Sequence, residues 1–188
     1  MTTIIILIVI VLLVILYISL YNSLVKLKTY TQESWSQIDV QLKRRNDLIP
    51  NLLETVKGYS HYEKDTLSQI VNLRNKLINN NTDRKDTMKV SDELSNSLKS
   101  IFALSENYPD LKADTEYQKL IEELTNTENK IAYSRQLYNS SVANFNMKIQ
   151  TFPTSIVAKI HHFTPATYLE TNNEEKSVPN ISFNEENN

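Results

Sequence analysis

Residues 4 to 20 read IIILIVIVLLVILYISL. Fifteen of these seventeen are Ile, Leu or Val, the exceptions are Tyr17 and Ser19, and none is charged. From Ile4 to Tyr21 a helix would extend about 27 Å, close to the ~30 Å hydrocarbon thickness of a bilayer. Fifteen such side chains, at roughly −0.3 to −0.6 kcal/mol each, give an insertion free energy on the order of −5 to −9 kcal/mol. A core helix would carry a polar face, and this run has none. A cleaved signal peptide would begin with basic residues and end in a small-residue site. Here the first Lys or Arg is Lys26, and the exit reads Tyr17-Ile18-Ser19-Leu20-Tyr21-Asn22. No cysteine is available for lipoprotein attachment. Residues 1–21 are therefore expected to form an uncleaved transmembrane anchor, with residues 4–21 in contact with the lipid bilayer.

Charge around the run sets its orientation. Lys26 and Lys28 follow it closely, then Lys43, Arg44 and Arg45, and nothing basic precedes it. Cationic flanks stay on the cytoplasmic side, so the expected topology is single-pass, with the N-terminus outside and the body cytoplasmic. The lack of cysteine agrees with a reducing compartment. Glycine occurs once, at Gly58, and proline five times. Tight hairpins need glycine at positive φ, so a β-rich fold is disfavoured. Glycine-rich phosphate loops are excluded. The net charge is −2 with Lys and Arg dispersed among acids, which gives no basic surface for nucleic acid.

Working outward, Leu24, Trp35, Ile38, Leu42, Ile49, Leu52 and Val56 step by eleven, three, four, seven, three and four, all sums of threes and fours. That spacing is the seam of a long packed helix that can run on from the membrane segment without a break. Pro50 removes one backbone bond and crowds the carbonyl of Asn46, which predicts a kink near residues 46–50. Gly58 is expected to end this helix in a left-handed conformation, and Ser60-His61-Tyr62-Glu63 reads as a capping box for the next. Leu67, Ile70, Val71, Arg74, Leu77 and Ile78 form the next inner stripe. Asn79 to Asp83 is either a turn or a helical join between two helices. Asp83 or Thr82 then caps a helix with Val90, Leu94, Leu98, Ile101 and Leu104 facing inward. Pro109 is expected to stop that helix. A last long helix is predicted from about 114 to 150, with a stripe of Tyr117, Leu120, Ile121, Leu124, Ile131, Tyr138, Val142, Phe145 and Ile149. Residues 154–169 read as a short amphipathic cap, and residues 170–188 as a disordered acidic tail. The expected fold is all-α: an N-terminal transmembrane helix, then an antiparallel up-and-down bundle of three to four long helices over residues 22–169.

Four polar residues fall on the apolar stripes: Arg45, Arg74, Glu128 and Arg135. A buried guanidinium needs a carboxylate or several carbonyls, so these residues are expected to form a polar core layer in which Glu128 pairs with one or two arginines. The plainer reading is a device that fixes helix pairing and register; the other is a binding pocket. Asp47, Pro50 and Asn51 form a candidate partner surface, because a proline inside a helix makes a local irregularity. The histidines are His61, His161 and His162, and their spacing fits neither a Glu-x-x-His di-iron site nor a His-x-x-x-His zinc site. Without cysteine or a Gly-x-Ser-x-Gly elbow, no nucleophile stands out, so the chain reads as non-enzymatic and without a cofactor.

Four blocks carry a family resemblance. They are Trp35-Ser-Gln-Ile-Asp-Val-Gln-Leu-Lys-Arg-Arg-Asn-Asp-Leu-Ile-Pro-Asn-Leu-Leu53, continuing through Val56-Lys57-Gly58-Tyr59 to His61 and Glu63; Glu106 to Lys112; Glu128-Asn-Lys-Ile131 with Arg135, Tyr138-Asn139, Val142, Asn146 and Phe152-Pro153; and Phe163-Thr-Pro-Ala-Thr-Tyr-Leu169. In this order, over about residues 30–169, they resemble the LemA family. The resemblance implies a single-pass N-terminal anchor and an antiparallel helical bundle, with no catalytic residues to carry over. The chain departs from the family pattern in its Asn- and Asp-rich stretch over 79–91. It also departs at His161-His162, where the family tends to small or apolar residues. Two functions fit: a membrane scaffold that recruits a protein partner, or a membrane-tethered sensor that binds a small anion at the arginine layer. The span has no small-xxx-small pattern, so tight pairing of anchors in lipid is not encoded.

Overall fold

A computed structural model describes residues 1–59, 64–79 and 83–170, with the side chain of Leu104 set aside. Helices dominate, and no strand occurs among the described residues. The first helix, α1, runs unbroken over Thr2–Tyr59. Then come α2 (Lys64–Asn79), α3 (Arg84–Leu104), a 3₁₀ turn at Ser105–Asn107 and the short α4 (Pro109–Ala113). The second long helix, α5, spans Thr115–Gln150 and is followed by α6, Thr154–Ile160.

α1 and α5 lie antiparallel along most of α5. Their pairing is fixed at Ser34 Oγ with Ser141 Oγ, 2.9 Å apart, and at Arg45 with Glu128. α2 and α3 pack on each other and cover the far half of that pair. The core there joins Ile49, Leu52 and Val56 of α1, Ile70 of α2, Leu94, Leu98 and Ile101 of α3, Leu111 of α4 and Leu124 of α5. A middle cluster holds Ile38, Leu42, Met88, Ile131, Tyr138, Val142 and Leu169. Nearest the apolar run, Leu24, Phe145, Ile149, Val157 and Ala158 pack together under α6.

The α5 stripe is buried nearly throughout, because one face of a 36-residue helix meets α1 over most of its length and α2 to α4 cover the rest. Asp114 is its N-cap and accepts from the backbone N–H groups of Glu116 and Tyr117. Asp83 caps α3, accepting from Arg84 N. α2 and α3 are separate helices; residues 80–82 and the expected capping box at 60–63 lie outside the described residues, as does the expected tail beyond Glu170.

Several local expectations are corrected. Gly58 does not stop α1 in a left-handed conformation: the helix continues through it to Tyr59, and no glycine has positive φ. On α2 the inner face is Leu67, Ile70 and Leu73, while Val71 and Ile78 are exposed, because the stripe follows the α3 contact rather than every apolar position. Pro109 does not end α3 but opens α4, where its missing N–H is one that a helix start leaves unused. Only Thr154–Ile160 of the expected cap is helical. Beyond it, residues 163–170 lie without helix along α5 as a strap.

Candidate functional site

Arg45 sits on the inner face of α1, three residues after Leu42 and four before Ile49, so burying that stripe buries the guanidinium too, to 0% exposure. Its Nη1 donates to Glu128 Oε1 at 2.9 Å and to Ser95 Oγ at 2.8 Å, and its Nη2 donates to Ser91 Oγ at 2.9 Å. Ser95 Oγ in turn donates to Glu128 Oε2 at 2.8 Å, so both carboxylate oxygens are held. Ser91 and Ser95 are one turn apart on α3, and the cluster thereby ties α1, α3 and α5 at one level. Burial of a charge is tolerated when it is paired and most of its donors are satisfied; here Arg45 Nε alone of the guanidinium nitrogens is buried without a hydrogen-bond partner among the described residues.

Arg135, two turns further along α5, donates from Nη1 to Asp92 Oδ1 at 2.6 Å and from Nη2 to the backbone oxygen of Glu170. Burial pushes the Asp92 carboxyl above its ordinary range, while the Arg135 charge pulls it back. Arg74 donates from Nε to the backbone oxygen of Asn46 at 2.8 Å. That carbonyl is the one Pro50 leaves without an intrahelical donor.

Of the four residues expected in one polar layer, the structure brings Arg45 and Glu128 together. Arg135 lies beside Asp92 instead, and Arg74 serves the proline site. Ser91, Asp92 and Ser95 did not emerge from the sequence. Their signal was present as an i, i+4 serine pair on the same face as Leu94 and Leu98.

Asp47, Pro50 and Asn51 are all exposed. Asp47 sits on a groove of about 620 Å³ bordered also by Trp35, Asp39, Asn46, Leu77 and Arg84. Arg84 stands 5.1 Å over the Trp35 ring and 5.8 Å over that of Tyr138. Burial raises the Asp39 carboxyl, opposed by the Arg84 charge and a hydrogen bond from Trp35. Asn46 Oδ1 is buried and has no hydrogen-bond partner among the described residues.

The strap is held by two amides. Asn146 Nδ2 donates to Ala166 O at 2.9 Å and its Oδ1 accepts from Ala166 N at 2.8 Å. Asn139 brackets Leu169 in the same way, at 2.9 Å for both bonds. Seven helical residues advance about 10.5 Å, and three extended ones about 10 Å, so asparagines seven apart match strap residues three apart.

Fold and site together define a class of protein: an all-helical bundle built on one long helix with a bare apolar extension, its interior registered by buried charge pairs. The LemA family model matches residues 34–183, and the chain belongs to the LemA family. It is similar to Protein LemA of Metamycoplasma hominis, 30% identical over 143 residues, which cover 76% of this chain and 65% of that protein. It is also similar to Magnetosome protein MamQ 2 of Paramagnetospirillum magneticum, 23% identical over 80% of this chain and 64% of that protein. Magnetosome protein MamQ of Magnetospirillum gryphiswaldense is 22% identical, over 79% of this chain and 64% of its own length. The chain thus spans just under two thirds of the length of these relatives.

Proposed function

We propose that this protein is a membrane-anchored, non-enzymatic scaffold. Its apolar leader crosses the bilayer once, with the N-terminus outside, and its cytoplasmic bundle recruits a protein partner. The observation that carries this reading is the continuity of α1. Ile4 to Leu16 are each about half exposed or more, and the same helix then enters the bundle core at Leu24 without a break. Rotation or tilt of the membrane segment is therefore passed to the body directly.

The groove beside Asp47 supports the recruiting role. It offers the Asp39 and Asp47 carboxylates beside Lys43 and Arg84, together with the apolar Leu77, which suits a protein segment that presents charged and apolar side chains together. A photo-crosslinking residue at Asp47 or Asn51 in intact membranes is expected to capture a specific protein that one at Tyr133 does not. Equal capture from all three positions would overturn the recruiting role.

The anion-sensor reading has less support, because Arg45 and Arg135 each already hold a carboxylate. A sensor ligand at 100 times its Kd would add about 2.7 kcal/mol of stability. The scaffold reading expects no thermal shift with small anions.

A further inference from the structure

We propose that α6 and the lysines around it form a second lipid contact, an in-plane platform for anionic headgroups beside the foot of the anchor. The proposal rests on the transmembrane reading of residues 4–21. α6 packs its inner face, Val157 and Ala158, against the Leu20–Leu27 stretch of α1. His161 Nε2 lies 2.8 Å from Tyr17 Oη, and its ring is 4.6 Å from that of Tyr21. Tyr17 and Tyr21 belong to the last turn of the apolar run, which places α6 at the level where hydrocarbon gives way to headgroups.

At that level the outer face is apolar. Ile156 and Ile160 are 51% and 56% exposed, and their spacing of four puts them on one side of α6, while Phe152, 80% exposed, stands in the turn that leads into the helix. The charge around it is one-sided. No Asp or Glu occurs in residues 1–32 or in residues 129–169, whereas Lys26, Lys28, Lys148 and Lys159 all belong to this end. In a chain of net charge −2, every acid lies in residues 33–128 or from residue 170 onward. Apolar side chains flanked by lysines, with no acid in residues 1–32 or 129–169 to repel headgroups, are the pattern of a helix lying in an anionic interface.

The test uses the full chain in vesicles, either neutral or with a third of the lipid anionic. The chain has no cysteine, so single spin labels at Phe152→Cys, Ile156→Cys and Ile160→Cys report those sites alone. Collision with oxygen is expected to exceed collision with an aqueous nickel chelate at all three sites in anionic vesicles. The order should be reversed at Tyr133→Cys, an exposed position on α5. The combined K26Q/K28Q/K148Q/K159Q change should remove the difference between the two vesicle types. Water-like nickel accessibility at Ile156→Cys, equal to that at Tyr133→Cys, would overturn the platform. So would dipolar broadening that disappears on dilution with unlabelled chain, which would assign the face to a second copy. Failure of the chain to float with vesicles at all would instead overturn the anchor itself.

Discussion

At His162 the backbone has φ of 54°, the left-handed conformation that costs a side chain roughly 1 kcal/mol or more and glycine little. The position is fixed by the end of α6, where Phe163 N donates to Ala158 O and His162 N to Lys159 O, the paired closing bonds of a helix terminus. Gly58 is the opposite case: it is helical, and an added Cβ would meet nothing within 4 Å. His162→Gly should therefore stabilise the bundle by about 1 kcal/mol and Gly58→Ala by about 0.5 kcal/mol, both read from urea midpoints at constant slope. Sequence alone suggested the reverse for Gly58, because glycine at a helix end usually does mark the stop. What it could not show is that α1 remains helical one residue further. Asp114 supplies a pH test. The backbone N–H of Tyr117, then the Tyr59 hydroxyl, hold its carboxyl below the ordinary value of 3.8. A lowered native value means stability that is present above pH 3.8 and lost as pH falls through the native value. Asp114→Asn keeps a capping oxygen but does not titrate, so its stability should fall less steeply below pH 4 than that of the wild type.

At the scale of the helices, Pro50 and Arg74 form a compensating pair. Proline inside a helix normally leaves a carbonyl unsatisfied, and here α2 reaches over to supply the donor. Arg74→Met should cost about 1–2 kcal/mol in the wild type, and less in Pro50→Ala, where residue 50 regains its own N–H. A double-mutant cycle should show that coupling at about 1 kcal/mol, and additive effects would refute it. The sequence pointed to both residues separately. It placed the proline and the freed carbonyl of Asn46, and it placed Arg74 on an inward stripe, but pairing across helices depends on a register no single helix encodes. The charged layer follows the same logic. Arg45 and Glu128 were readable as polar intrusions on apolar stripes, whereas Ser91, Asp92 and Ser95 sit on α3, where a serine on a helix is ordinarily a solvent-facing residue. Glu128→Ala should cost about 3 kcal/mol, the low end for a broken buried pair because the Glu128 side chain is 27% exposed. R45M/E128L should recover most of that loss in the same unfolding assay.

For the whole molecule, the helical bundle was legible because each long helix carries a regular apolar stripe and the single glycine argues against tight hairpins. The strap over residues 163–170 was not, because its backbone is satisfied by side-chain amides rather than by a periodic pattern. Asn139→Ala and Asn146→Ala together should raise amide exchange at Ala166 and Leu169 and leave α2 unaffected. The central claim joins two solvents in one helix: lipid for residues 4–21 and water around the packed body. Alkaline carbonate washing of membranes from expressing cells, followed by peptide mapping of pellet and supernatant, tests it most directly. The account predicts that the chain stays in the pellet with residues 4–21 still attached. Recovery of the bundle in the wash, lacking those residues, would contradict it.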